Sequence, residues 1–158
     1  IVASGGSAGG HLAASTGTVP NYDEENEDQS ISSKPNAMVL FNPGLITYTV
    51  EGNNEDKERL ERAKNRIGDD PKKASPFHHV DKNIAPTIIF HGKSDKTVPY
   101  ESVVLYEKKM KEFGNICELH LYDGEEHGFF NYGRKSNIAF KDTMEKSYNF
   151  LKKIKFIK

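Results

Sequence analysis

Cysteine is nearly absent: Cys117 is the single one in 158 residues. That excludes an internal disulfide and any zinc cluster built from cysteines. No apolar run approaches the length of a membrane span, and the first residues do not read as a signal peptide. No charge of one sign dominates: the formal net charge is −1 with 28% charged residues, so neither nucleic acid nor an anionic membrane surface is indicated as a partner. Internal repeats and long low-complexity linkers are missing as well. So is an initiating Met; the chain enters at Ile1, in what reads as the middle of a strand. The expectation is a single domain over residues 1–158, truncated at its N-terminus, with cytoplasmic and exported locations both open. What remains is chain enough for one domain with a real core.

The apolar pattern alternates between strand and helix. Ile1 and Val2 lead into a glycine-rich turn, after which His11-Leu12-Ala13-Ala14 opens a short helix that continues to Thr16. Ala37-Met-Val-Leu-Phe41 is a continuous apolar run stopped by Asn42-Pro43-Gly44, as expected for a strand buried on both faces. A surface helix is expected from a cap at Asn53 or Asn54, with Leu60, Ala63 and Ile67 on its apolar face and Gly68 as its stop. Thr87-Ile-Ile-Phe90 reads as a second buried strand. Pro99 opens a helix whose buried stripe is Val103, Tyr106, Met110 and Phe113. Cys117, Leu119 and Leu121 alternate with Glu118, His120 and Tyr122, which gives one wetter face and an expected edge strand. Phe140, Met144, Tyr148, Leu151 and Ile154 mark a last amphipathic helix, with Lys152, Lys153 and Lys155 at the negative end of its dipole. Alternation of this kind implies an α/β class, with a mostly parallel sheet of about four strands covered by helices on both faces.

Such sheets carry their sites at the C-terminal ends of the strands. Ser7, Asp95 and His127 fall at three of those ends. Ser7 is the centre of Gly5-Gly-Ser7-Ala-Gly9, a pattern that can set a serine on a sharp turn between strand and helix, where glycines two before and two after keep Cβ atoms out of the approach. A serine hydroxyl is a poor nucleophile without a base, and imidazole titrates near neutrality. A carboxylate on the other ring nitrogen fixes its tautomer. The chain order Ser, Asp, His is one of three in which this constellation recurs. Asp123 competes with Asp95 for the acid role, and a turn residue capping the Pro99 helix is the plainer role for Asp95. His127 alone would read as a loop histidine bonded to backbone.

Gly5-Gly-Ser7-Ala-Gly-Gly10, Ile89-Phe-His-Gly-Lys-Ser-Asp95-Lys-Thr-Val-Pro99 and Leu121-Tyr-Asp-Gly-Glu-Glu-His127-Gly-Phe129 together resemble the α/β-hydrolase fold. Within it the chain looks like the esterase/lipase branch that includes acetyl xylan and feruloyl esterases. The likeness covers essentially the whole chain, with Ala74-Ser-Pro-Phe-His-His79 included. It implies the C-terminal part of that fold, with Ser7 as nucleophile, Asp95 as acid, His127 as base and the Ala8 N–H as one oxyanion donor. It implies no cofactor and no metal, and a small-molecule or carbohydrate ester as substrate. The family places its second oxyanion donor on a loop after an earlier strand, and nothing here precedes Ile1.

Other residues have duller expectations. The carboxylates of Asp23-Glu-Glu-Asn-Glu-Asp28 lack the spacing and turn glycine of a calcium loop. His78 and His79 are adjacent and point apart, which disfavours a metal pair. His91 is expected to order its turn by hydrogen bonding, and His11 to sit near the site without chemistry. Phe129 and Phe130 either wall an acyl pocket or pack in the core, and the stretch around Tyr48 is a candidate cap. Two rival functions stand beside the esterase: a serine peptidase of the prolyl-oligopeptidase type, and a non-catalytic assembly module with a hydrolase fold. Because the strand at Ile1–Ser4 would expose an unpaired edge, the chain is expected to self-associate or to pair with a missing N-terminal half.

Overall fold

The computed structural model describes residues 1–20, 23–24, 26–28, 30–47, 61, 64–68 and 70–158. Strand β1 (Val2–Gly6) leads into helix α1 (Ala8–Thr18), followed by β2 (Ala37–Phe41). Two short 3₁₀ turns, Pro71–Ala74 and Pro76–His79, precede β3 (Thr87–Gly92). Helix α2 (Glu101–Glu112), β4 (Cys117–Tyr122) and α3 (Ile138–Lys153) complete the order. The four strands lie side by side as β1-β2-β3-β4, every pair parallel. Each crossover therefore carries chain over a face of the sheet, as parallel pairing requires.

β2 and β3 are central; β2 is apolar throughout, β3 carries the apolar run Ile88–Phe90, and all six residues of β3 are buried. Alternate side chains feed two cores. Met38, Leu40 and Ile89 point to the side covered by α1 and α2, where Ala13, Ala14, Val103, Tyr106 and Met110 meet them. Val39, Ile88 and Phe90 point to the other side and pack under α3 with Phe129, Ala139 and Phe150. Cys117 is buried against the first core, which pushes its thiol up to about 12. β4 is an outer strand and, after Cys117, only half-buried, in line with its alternating sequence.

Three expectations shift. Helix α1 starts at Ala8, ahead of the expected opening at His11, and buries Gly10, Ala13, Ala14 and Gly17. These residues are too small to leave an apolar signal, yet they allow the helix to lie close on the sheet: a Cβ at Gly17 would stand 2.8 Å from the Met38 sulfur. In α2, Phe113 lies beyond the last helical turn and is 40% exposed rather than buried. In α3 the buried stripe is Ala139, Thr143, Ser147 and Phe150, while Met144 and Tyr148 are about half exposed. The hydroxyls of Thr143 and Ser147 donate to Phe140 O at 3.0 Å and Thr143 O at 2.7 Å. Satisfied inside their own helix, these small polar groups can be buried where a longer apolar residue would hold α3 off β3.

Of the expected helix before Gly68, Glu61 and residues 64–67 are described and helical. Gly68 follows with φ +106° and donates its N–H to Lys64 O at 2.8 Å. The Asn53–Asn54 cap, Leu60, Ala63 and Tyr48 lie outside the described residues. Among the described helices none is long and apolar enough to cross a membrane.

Candidate active site

Parallel pairing in register brings the C-terminal ends of all four strands to one edge. Ser7 sits between the last residue of β1 and the first of α1, with φ 56° and ψ −120°. That backbone is rare for a residue with a Cβ and marks a strained turn. The turn is tied down by its neighbour: Ser7 N–H donates to Phe41 O at the end of β2, 2.9 Å away. Gly5 is required by contact, since a Cβ there would fall 2.4 Å from the backbone carbon and oxygen of Gly9. Gly10 is confined in the same way by Pro43, 2.9 Å from a built Cβ. Gly9 is different: a Cβ there meets no heavy atom within 4 Å among the described residues. The expectation that both flanking glycines prevent Cβ clashes is therefore corrected, because Gly9 points away from the strand.

The structure brings the three predicted side chains together. His127 Nε2 lies 2.9 Å from Ser7 Oγ, and His127 Nδ1 lies 2.7 Å from Asp95 Oδ2. A carboxylate accepts only, so the Asp95 contact puts the imidazole proton on Nδ1 and leaves Nε2 free to accept from the serine hydroxyl. Asp95 has a fully buried side chain, and its Oδ1 accepts from Thr97 N–H at 2.8 Å and Val98 N–H at 2.9 Å. Its rival Asp123 faces the other way, 86% exposed and paired with Lys93 at 2.7 Å. Ala8 stands at the first position of α1, where a backbone N–H has no helical acceptor and the dipole is positive.

His91, completely buried at the end of β3, donates from Nε2 to Val98 O at 2.9 Å, with Asp95 Oδ2 3.4 Å away. Burial holds its pKa below the usual imidazole value, against the opposing pull of the Val98 carbonyl and Asp95. The loops of Asp95 and His127 are in direct contact as well. Ser94 N–H donates to Glu125 O at 2.9 Å, and a Cβ on Gly92 would fall 2.2 Å from that same oxygen. Phe129 is buried in the core under α3, and Phe130 stacks on Phe41 at 4.7 Å while covering Gly6.

His11 Nδ1 binds Gly44 O at 2.7 Å. His78 Nδ1 contacts Ser75 Oγ at 2.8 Å, and His79 Nε2 contacts Lys73 O at 2.9 Å. Among the described residues no group of three or more His, Cys, Asp or Glu is arranged to hold a metal ion. A groove of ≈ 1040 Å³ runs along α1 between Ser15, Asp23, Lys34 and His78; Ser7, Asp95 and His127 do not line it. Sequence reasoning passed over Asn42 as a strand stop. Its side chain is buried, and its Oδ1 accepts from Gly128 N–H at 2.9 Å, next to His127. An amide closing a buried strand at the sheet's C-terminal edge is the signal that could have found it.

A parallel sheet flanked by helices on both faces, with a serine turn after β1 and an acid and a histidine loop after β3 and β4, is an α/β-hydrolase fold. Residues 1–110 match the BD-FAE family, and the chain belongs to that family. It is similar to the native esterase Est2 of Thermogutta terrifontis, with 49% identity and a TM-score of 0.90 over 99% of this chain and 56% of that one. The propionate-bound form of Est2 compares at 50% identity and a TM-score of 0.88, covering 99% of this chain and 57% of that one. An uncharacterized peptidase of Bacillus subtilis, YtmA, is 32% identical over 93 residues, which is 54% of this chain and 34% of that protein. The chain thus spans little more than half of the esterase and about a third of the peptidase.

Proposed function

We propose that this protein is a serine hydrolase that cleaves carboxylic esters through an acyl-enzyme on Ser7. The support is the unbroken hydrogen-bonded relay of Ser7, His127 and Asp95, at 2.9 and 2.7 Å. In the proposed reaction His127 Nε2 takes the hydroxyl proton as Ser7 Oγ attacks the ester carbonyl. The Ala8 N–H binds the developing oxyanion, and Asp95 balances the imidazolium. Collapse of the tetrahedral intermediate breaks the ester C–O bond, and the alcohol leaves with the proton from Nε2. Water then enters, gives its proton to His127, and releases the acid with Ser7 restored.

For the acyl group we favour a short chain, because Est2 is described with propionate and with butyrate bound. Acetyl or feruloyl esters of plant polysaccharide are the substrates that the esterase resemblance suggests. The likeness to a protein named a peptidase favours amide cleavage as the second reading. The outer edge of β1 has no strand partner among the described residues, and Ile1 is 83% exposed. Pairing there, with further chain of the same domain or with a second copy, is the assembly we infer.

A fluorophosphonate probe should label the full-length protein at Ser7. Ser7→Ala should abolish labelling and lower turnover of a p-nitrophenyl acetate substrate by about 10⁶-fold. Labelling that persists in Ser7→Ala sinks the assignment; cleavage of peptide amides in preference to acetyl esters moves it to the peptidase reading.

A further inference from the structure

Phe41, the last residue of β2, and Asn42, directly after it, tie three parts of the site together. Phe41 O accepts the N–H of Ser7 at 2.9 Å. Asn42 N–H donates to Phe90 O of β3 at 2.8 Å. The Asn42 side chain then reaches across 86 positions of sequence to accept from Gly128 N–H at 2.9 Å. Gly128 follows His127 directly and itself has φ +74°, so its backbone direction sets where the imidazole is presented.

Asn42 holds this place against two penalties. Its backbone lies at φ +33°, outside the regions ordinary residues adopt. It is also completely buried, and because Oδ1 is the atom that must face an N–H, the amide Nδ2 is turned to where no acceptor stands among the described residues. A buried polar side chain with one of its groups unmatched is costly, as is a strained φ, and such costs persist where the surrounding structure demands that conformation. A glycine would meet the backbone requirement alone. An apolar residue would serve the burial. The hydrogen bond to the His127 loop is what only a side-chain acceptor of this length supplies.

We propose that Asn42 is a positioning residue that sets the distance between His127 Nε2 and Ser7 Oγ by clamping the Gly128 amide to the strand that also anchors the serine turn. The assignment rests on the proposed ester hydrolysis, and it concerns the base loop, not the nucleophile. Asn42→Gly keeps the backbone conformation and deletes the acceptor. In the full-length protein it should lower kcat on p-nitrophenyl acetate by about 10- to 100-fold, the loss expected for a base misplaced by about 1 Å, with KM little changed. Fluorophosphonate labelling should slow in the same proportion. Asn42→Asp, nearly isosteric and still able to accept from Gly128, should recover most of the lost rate. If the glycine variant does not fold, Asn42→Ser, too short to reach Gly128, takes its place. Unchanged kcat in the glycine or serine variant overturns the proposal, as does an aspartate variant no better than either. A parent protein that neither takes the probe nor cleaves the ester overturns the hydrolase reading, and this proposal with it. Normal labelling and turnover in the parent beside unaffected Asn42 variants leaves the hydrolase reading standing and refutes the clamp alone.

Discussion

The two glycines that flank Ser7 look equivalent in the sequence, and the structure predicts that alanine will have opposite effects at them. A Cβ at Gly5 would stand 2.4 Å from the Gly9 carbonyl carbon and oxygen and 2.9 Å from Gly10 N. All three are backbone atoms, so no side chain can swing aside. Ordinary carbon contacts begin about 1 Å further out, and β1 and α1 must separate by that amount. Overpacking of this size costs about 1–3 kcal/mol, which in a domain of this length lowers Tm by roughly 2–12 °C. Ser7 rides on the turn between the two elements, so a shift of about 1 Å should also reduce kcat/KM by about 100-fold. Gly9 lies in the first turn of α1 with open space around its Cβ position and no positive φ. Alanine there removes backbone freedom from the unfolded chain and improves helix propensity, a gain of up to about 1 kcal/mol. Gly9→Ala should leave Tm level or a few degrees higher. Thermal unfolding of the two variants, with kcat/KM on a short-chain p-nitrophenyl ester, makes the comparison. A Gly5→Ala protein with unchanged Tm and activity, or equal damage from both substitutions, would refute the reasoning.

Stability should fall as the pH drops through weakly acidic values. Burial holds the His91 pKa below its ordinary value, so the unfolded chain takes up the proton first; stability is whole above about pH 6.5 and declines as pH falls from there toward the lowered folded value. His120, lowered by its own burial and then by Lys146, acts in the same sense. Urea midpoints measured from pH 7.5 down to 5.5 should show this slope, and His91→Gln should flatten it to the share of His120; an unchanged slope refutes the role of His91. The Cys117 thiol, 5% exposed and pushed up to about 12 by burial, should ignore a disulfide reagent at pH 8 in the native protein and react once in urea. Rapid native reaction would show that the strand opens.

Periodicity alone exposes some features of this protein. The short apolar runs at Ala37–Phe41 and Thr87–Phe90 read as strands covered on both sides, the second of which continues to Gly92 in the structure, and their alternation with helical stripes implies a parallel sheet. That sheet in turn sends Ser7, Asp95 and His127 to one edge, because every parallel strand ends on the same side. Periodicity is silent where burial is done by small or self-satisfied residues. The extension of α1 back to Ala8 and the Thr143–Ser147 face of α3 escaped it for that reason.

Contacts between loops far apart in the chain belong to the tertiary structure alone. Sequence ranks Asp123 behind Asp95 as the acid without placing either side chain; the turn through Thr97 and Val98 buries Asp95 beside His127, and Lys93 holds Asp123 in solvent. Gly5 and Gly9 are the same residue type, and the direction each Cβ would take separates them. Asn42 reads locally as a strand terminator, and its amide acquires a partner only when a loop 86 residues away folds back over the sheet. Residue type and spacing determine which groups could react. Which of them touch is settled by where the packed strands deliver the loops, since a hydrogen bond depends on a few tenths of an ångström that no local pattern encodes.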